Sequence, residues 1–196
     1  MRLPDTEHTR RPWRIHELTD DFRLLDVWAL PTPGGPTDFG RLVQLWAAFD
    51  PVNGSSRAVR ALFAIRAKLG ELFHWDSEDA ARHLPGPTVR DRLPADLRDR
   101  PPGPLPPRPF SPVYLTDTEW AAEVVNRTVH GVIHLGWVAD RAGGCHGQMA
   151  ILVKPNGLLG AAYLAAISPF RHLIVYPRML REIDRTWQAR TTGLTR

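Results

Sequence analysis

An arginine on the apolar face of a predicted helix is the first residue in this sequence that could do chemistry. Residues 57–73 have helical periodicity, and one face of that helix carries Val59, Leu62, Phe63, Leu69 and Phe73. Arg66 lies in the middle of this face, whereas the other charged residues of the segment lie opposite. A guanidinium that faces the interior must be paired, because an isolated buried charge is very costly. Arg66 is therefore either half of a structural ion pair or a ligand-binding group for a carboxylate or enolate.

Three acidic residues are candidate partners for Arg66. Residues 22–30 alternate as a strand, and Asp26 interrupts the face that carries Phe22, Leu24, Trp28 and Leu30. Asp26 is the first candidate, and Glu119 and Glu123 are the alternatives. If the protein is an enzyme, Arg66 would stabilise developing negative charge, and the base would be His130, Glu119 or Glu123.

Two histidines, His130 and His134, lie four residues apart, which on a helix would place both on one metal ion. Residues 128–138 alternate as a strand instead, so the two rings would be roughly 13 Å apart on the same face. Two ligands of one zinc ion cannot be so distant. The sequence therefore predicts no metal site and no cofactor, and it leaves acid–base work or a structural role for either histidine.

Three aromatic residues are predicted to join Arg66 and Asp26 at a ligand: Trp137, Tyr163 and Phe170. Tyr163 lies about one turn before Ser168-Pro169, where a predicted C-terminal helix should kink or break, since the residue before proline avoids the α region. Beyond the kink, the apolar face of the helix contains Tyr176, Leu180, Ile183 and Trp187. We expect Leu180 and Trp187 to be buried against Ile133, Leu135 or Trp137.

The elements that would position these residues form one domain, 1–196, with an N-terminal arm at 1–20. A helix is predicted from Asp38, capped by Thr37 or Asp38, and strands are predicted at 119–126, 128–138 and 147–154. Residues 85–112 hold 10 of the 19 prolines and are predicted to be a loop without regular structure. The pattern is typical of an α+β fold with an antiparallel sheet.

Composition excludes several classes of protein. The net charge is +4, and 23 of the 25 basic residues are arginines scattered among acids, which argues against nucleic-acid binding. The one cysteine, Cys145, excludes an intramolecular disulfide. The apolar run that starts at Pro155 ends at Arg171, too short for a membrane span, and the N-terminus lacks a signal-peptide core. These features predict a cytoplasmic protein, and a homodimer remains open.

Four segments of the chain resemble a bacterial family of unknown function whose members stand alone or follow an atypical short-chain dehydrogenase domain. They are LLDVWALPTPGG (24–35), LFAIRAKLGELF (62–73), DTEWAAEVVNRTVHGVIHLGWV (117–138) and KPNGLLGAAYLAAISPFRHLIVYPRML (154–180). The resemblance covers roughly 20–187, and the family's usual PFHR is PFRH at 169–172. It implies a helix-grip fold of the START and Bet v 1 type, in which a curved antiparallel sheet and a long C-terminal helix enclose an apolar cavity. It implies no catalytic residues.

Two functions follow from these residues and the resemblance. One is the binding of a small apolar molecule in an enclosed cavity, with polyketide cyclase-like or isomerase-like proton transfer in secondary metabolism. The alternative is a non-catalytic binding or partner domain whose cavity is filled by side chains. A titratable group that faces a pocket would favour an enzyme, and a lining of hydrocarbon alone would favour a binding protein.

Overall fold

Six strands form one antiparallel sheet in the order β1-β2-β6-β5-β4-β3. The computed structural model describes residues 1–48, 87–126, 128–140 and 143–192. The strands are Arg2–Leu3 (β1), Arg23–Ala29 (β2), Ser111–Leu115 (β3), Glu119–Val125 (β4), Val129–Ala139 (β5) and Cys145–Pro155 (β6). The predicted antiparallel sheet is confirmed, and β1 and β3 are additions to it at its two edges.

The described helices precede and follow the long strands. They are Thr6–Thr9 (α1), Ile15–Leu18 (α2), Phe39–Ala47 (α3), Ala95–Arg98 (α4), Gly157–Phe170 (α5) and Tyr176–Thr192 (α6), with a 3-10 turn at Arg90–Arg92 and a π-helical segment at Arg171–Val175. The α+β class is confirmed. The predicted helix at 57–73, with Arg66, lies outside the described residues.

Both faces of the sheet are buried, each under a different part of the chain. On one face, α3 and α6 cover a cluster that includes Trp28, Trp120, Leu135, Trp137, Ile183 and Trp187. The Trp187 ring lies 6.2 Å from the Trp137 ring, between centroids, and Leu180 packs against the same cluster. On the other face, the N-terminal arm and residues 89–97 cover a cluster that includes Trp13, Ile15, Val89, Leu97, Tyr114 and Val132. We call these the helix face and the arm face.

A β-bulge in β2 decides which of its residues reach the helix face. Leu24 pairs with Leu152 and Asp26 pairs with Ile151, so one extra residue stands between them. Leu24 consequently packs with the arm-face cluster and Trp28 with the helix-face cluster. The prediction that Phe22 and Leu24 share a face with Trp28 and Leu30 is wrong, because strict alternation does not hold across a bulge.

The proline-rich residues 85–112 contain regular structure, so that prediction is wrong as well. The 3-10 turn at Arg90–Arg92 and the helix α4 fall in stretches between prolines, and α4 begins directly after Pro94. Proline suits the start of a helix because its fixed φ matches and its missing amide hydrogen is not needed there. Pro112 lies in β3, an edge strand, where proline is tolerated.

The C-terminal helix continues past Ser168-Pro169. Pro169 lies within α5, and the interruption follows it as the π-helical segment, in which the Tyr176 amide donates to the Arg171 carbonyl. Pro177 follows immediately and has no amide hydrogen for the next bond of the ladder. None of the helices in the described ranges combines the length and the apolar character that crossing a membrane requires.

Candidate functional site

The carboxylate of Asp26 is the centre of a polar cluster between β2 and the C-terminal helix. Asp26 is 0% exposed, and its Oδ1 lies 2.6 Å from Nε2 of His172. Its Oδ2 accepts hydrogen bonds from the Tyr176 hydroxyl (2.9 Å) and from Nη2 of Arg171 (3.0 Å). We call these four residues the Asp26 cluster. A buried carboxylate needs such partners, because burial without them is very costly.

Two irregular segments bring these side chains together. The bulge in β2 shifts the alternation of the strand by one residue after Leu24, and Asp26 faces the helix face. On the helical side, Arg171 and His172 open the π-helical segment, and Tyr176 follows it. Bulges and π-helical turns both recur at functional sites, since each re-aims side chains that a regular element would direct elsewhere.

Both ring nitrogens of His172 face hydrogen-bond acceptors. Nε2 faces the Asp26 carboxylate, and Nδ1 lies 2.8 Å from the main-chain carbonyl oxygen of Ser168. A main-chain carbonyl can only accept, so Nδ1 of His172 donates to Ser168, and a second proton is shared between Nε2 and the Asp26 carboxyl group. The pair therefore holds a proton that it can give up.

Two aromatic rings lie beside Asp26 and His172, and the His172 side chain is partly exposed to solvent. The Trp28 ring lies 4.8 Å from the Tyr176 ring and 6.5 Å from the His172 ring, between centroids. Burial first, and then the charge of Asp26, raise the pKa of Tyr176, which keeps its hydroxyl a neutral donor. The side chains of His172 and Arg171 are 26% and 17% exposed, so they are the members of the cluster that a ligand can contact.

Three other predicted ligand-binding residues, Trp137, Tyr163 and Phe170, lie in the described part of the chain. Trp137 lies on the helix face, where its Nε1 donates to the Gly35 carbonyl at 3.0 Å. Tyr163 is half-buried on α5, and Phe170 at the end of α5 is 48% exposed. Arg66 lies outside the described residues. Of the predicted ligand-binding group, the structure thus places Asp26 in a polar cluster and Trp137 in the hydrophobic core.

The three predicted catalytic residues lie on the arm face, so the sheet separates them from Asp26. His130 Nε2 is 2.7 Å from Oε2 of Glu123, which also accepts the amide of Val89 at 2.9 Å. Glu119 is likewise buried and bonded to a second histidine, His134. His130 and His134 share a face of β5 as predicted, each with its own carboxylate. Across the described ranges, no three His, Cys, Asp or Glu side chains are arranged to hold a metal ion.

Glu119 anchors a chain of two buried histidines that holds the N-terminal arm. Nε2 of His134 is 3.1 Å from Oε2 of Glu119, and Nδ1 of His134 is 3.1 Å from Nε2 of His8. The amide of Arg14 and the hydroxyl of Tyr114 also donate to Glu119. Because the carboxylate accepts, neutral His134 donates from Nε2 and accepts at Nδ1, so His8 donates to it. Nδ1 of His8 is then a buried lone pair with no hydrogen-bond partner in the described part of the chain.

This chain of histidines predicts a loss of stability in acid. Burial, then the neighbouring His134, lower the pKa of His8 to about 2, and burial also lowers that of His134. The folded protein thus cannot take up protons that the unfolded chain binds below about pH 6.5. We expect the free energy of unfolding, measured in urea, to fall between about pH 7 and pH 5 by up to roughly 1.4 kcal/mol per pH unit for each histidine.

A His8→Gln variant provides the control for this prediction. Glutamine can still donate to His134 but binds no proton, so the dependence on pH should weaken by about one proton. An unchanged pH dependence in His8→Gln would show that His8 does not control the acid response.

Three of the four residues of the Asp26 cluster were not predicted from the sequence as site residues. Arg171, His172 and Tyr176 are the polar groups of an otherwise apolar stretch, and His172 and Tyr176 are four residues apart, as on one face of a helix. That spacing was a usable signal. The partner, Asp26, is 146 residues from His172, which no local pattern reveals.

The chain matches the model of the family described as "Protein of unknown function (DUF2867)" over residues 18–178. The chain belongs to this family. The matched residues of this chain include the whole Asp26 cluster and end two residues after Tyr176, whereas His8 lies before them. Neither the curated proteins nor the solved structures gave a match to this DUF2867 protein.

Proposed function

We propose that the protein binds an apolar small molecule beside the Asp26 cluster and transfers a proton to or from it through His172. The observation that carries the proposal is the 2.6 Å contact between a fully buried carboxylate and a partly exposed histidine, among aromatic rings. Clefts that combine apolar walls with a few convergent polar groups are the usual binding sites for small molecules.

Each residue of the cluster has a distinct part in this chemistry. Asp26 stays at Nε2, orients the ring and stabilises the imidazolium, as a carboxylate does for a catalytic histidine. A basic atom of the ligand that replaces the Ser168 carbonyl at Nδ1 would receive the proton. Arg171 would stabilise negative charge on the ligand, and neutral Tyr176 fixes the second carboxylate oxygen.

The architecture supports a ligand between sheet and helix. An antiparallel sheet with a long C-terminal helix on one face agrees with the resemblance to helix-grip proteins of the START and Bet v 1 type. In such proteins the ligand lies between these two parts, and the Asp26 cluster joins β2 to that helix. The proposal therefore extends to a helix-grip fold and to cyclase-like or isomerase-like proton transfer.

One observation favours the alternative, a non-catalytic binding or partner domain. Large side chains fill much of the space between the sheet and α6, where Trp120, Trp137 and Trp187 are buried in one cluster. In this alternative the Asp26 cluster would only fasten the C-terminal helix to the sheet.

Solvent exchange distinguishes the two functions. Native mass spectrometry of the purified protein should detect a bound small molecule, and incubation in deuterated water should exchange one of its acidic C–H hydrogens for deuterium. A His172→Gln variant should keep the molecule and lose the exchange, because the amide of glutamine neither takes up nor releases a proton near neutral pH. A His146→Gln variant, changed on β6, is the matched control and should exchange like the wild type.

The possible results separate the alternatives clearly. A bound molecule without exchange in the wild-type protein would support the non-catalytic alternative. Exchange that survives in His172→Gln would contradict the role proposed for His172. A protein that retains no small molecule and binds no apolar probe would contradict small-molecule binding and would favour a partner domain whose cavity is filled by side chains.

A further inference from the structure

Two guanidinium groups face the single carboxylate of the Asp26 cluster. Nη2 of Arg171 lies 3.0 Å from an Asp26 oxygen, and Nη2 of Arg2, from outside the cluster, lies 3.5 Å from the other. Within the described ranges, the guanidinium groups that face Asp26 therefore outnumber its one carboxylate.

Two buried N–H groups of the same region also have no acceptor. They are Nε of Arg171 and Nε1 of Trp28, neither of which has a hydrogen-bond partner in the described ranges. Buried donors are almost always satisfied in folded proteins, and an orphaned one calls for an explanation. Arg171 uses Nη2 for Asp26, which leaves the Nε side of its fork for a second acceptor.

The surplus charge and the unsatisfied donors call for the same kind of ligand group. An oxyanion brings negative charge and several acceptor lone pairs, and a guanidinium is the side chain that binds one most effectively. The apolar part of such a ligand would contact the Trp28 and Tyr176 rings, which lie 4.8 Å apart between centroids. We propose that the ligand of this site is an apolar molecule with an anionic oxygen head, a carboxylate or an enolate, held by Arg171. This inference rests on the proposed function, because it assigns the head group of the same ligand.

Two fluorescent probes that differ in one group test the inference. The probes 8-anilinonaphthalene-1-sulfonate and N-phenyl-1-naphthylamine share their ring system, and only the first has a sulfonate, which stands in for the ligand's anionic head. We expect the sulfonate probe to bind the wild-type protein about tenfold more tightly, the effect of one charge-assisted hydrogen bond. In Arg171→Met the preference should vanish, while binding of the neutral probe should change by less than about threefold.

Arg181→Met is the matched control, because Arg181 lies on the same helical stretch and its side chain bonds only the Pro177 carbonyl in the described contacts. It should keep the preference for the sulfonate probe. Thermal melting establishes that each variant is folded, and if Arg171→Met does not fold, Arg171→Lys replaces it. Lysine keeps the charge but loses the planar guanidinium fork. The preference of Arg171→Lys for the sulfonate probe should therefore be weaker than that of the wild type but still present.

Three results would overturn the inference. Equal affinity of the wild-type protein for both probes would show that no anion is recognised, and the proposed function would stand without it. An equal loss of preference in Arg181→Met would assign the effect to general surface charge. Failure of both probes to bind would contradict the proposed function itself, and the assignment of a head group with it.

Discussion

Replacing Asp26 with asparagine is expected to lower the free energy of unfolding by about 3 kcal/mol, because it leaves buried positive charge without its counter-ion. Asparagine offers one acceptor oxygen in place of two, and its amide hydrogens would face donors on Arg171, His172 or Tyr176. We place the effect at the low end for a broken buried pair, since Arg171 and His172 keep some contact with solvent. Urea denaturation followed by tryptophan fluorescence measures it.

Asp21→Asn is the matched control for this variant. Asp21 also has two cationic partners, Arg92 and Lys154, but its side chain is 35% exposed, and exposed ion pairs contribute about 1 kcal/mol or less. Similar losses in the two variants would mean that burial adds nothing to the Asp26 cluster. Loss of ligand in Asp26→Asn, with retention in Asp21→Asn, would further support the cluster as the binding site.

Replacing Trp187 with alanine should lower the free energy of unfolding by about 3–5 kcal/mol, which is typical of a buried tryptophan. Trp187 is fully enclosed, packs against Trp137, and donates from Nε1 to the Pro33 carbonyl at 2.9 Å. The guanidinium of Arg41 lies over its ring at 3.9 Å. The substitution therefore removes apolar burial, a hydrogen bond and a cation–π contact together.

Arg185→Ala on the same helix separates burial from helix propensity. Arg185 is exposed, so its loss should change the free energy of unfolding by no more than about 0.5 kcal/mol. Both variants are compared by urea denaturation at neutral pH. If Trp187→Ala were as mild as Arg185→Ala, α6 would not be anchored to the sheet by this side chain.

The long strands could be predicted because their hydrophobic pattern is local. The segment predicted at 119–126 is observed as Glu119–Val125, and that predicted at 128–138 as Val129–Ala139. β-branched and aromatic residues are also enriched in strands, including those whose two faces are both buried. The class of fold followed from these strands and from the helices that precede and follow them.

The faces of β2 could not be predicted, because a bulge depends on the partner strand. Nothing in residues 22–30 marks the extra residue between Leu24 and Asp26, which is defined only by pairing with β6. Likewise Glu119 and Asp26 were treated as alternatives for one site, although they lie on opposite faces of the sheet. Sequence patterns assign a residue to a face within one strand and do not register strands against one another.

The partners of Asp26 were missed for a different reason. The expectation started from Arg66, a guanidinium on an apolar helix face that would need an acidic partner, and Asp26 was the first candidate. Arg171 and His172, which follow the predicted kink or break at Ser168-Pro169, were not among the predicted partners of Asp26. Whether Arg66 also contributes stays a prediction.

The distance along the chain between Asp26 and its partners sets the order of events in folding. The Tyr176 hydroxyl and the Asp26 carboxylate are 150 residues apart, and β2 pairs along its length with β6, which follows more than a hundred residues later. Contacts of such long range close slowly, because the entropy of a large loop must be overcome first. During synthesis, β2 therefore leaves the ribosome long before β6 has been made, and the Asp26 carboxylate stays hydrated until the C-terminal helix docks. The complete cluster can therefore form only after the chain has been synthesised as far as Tyr176.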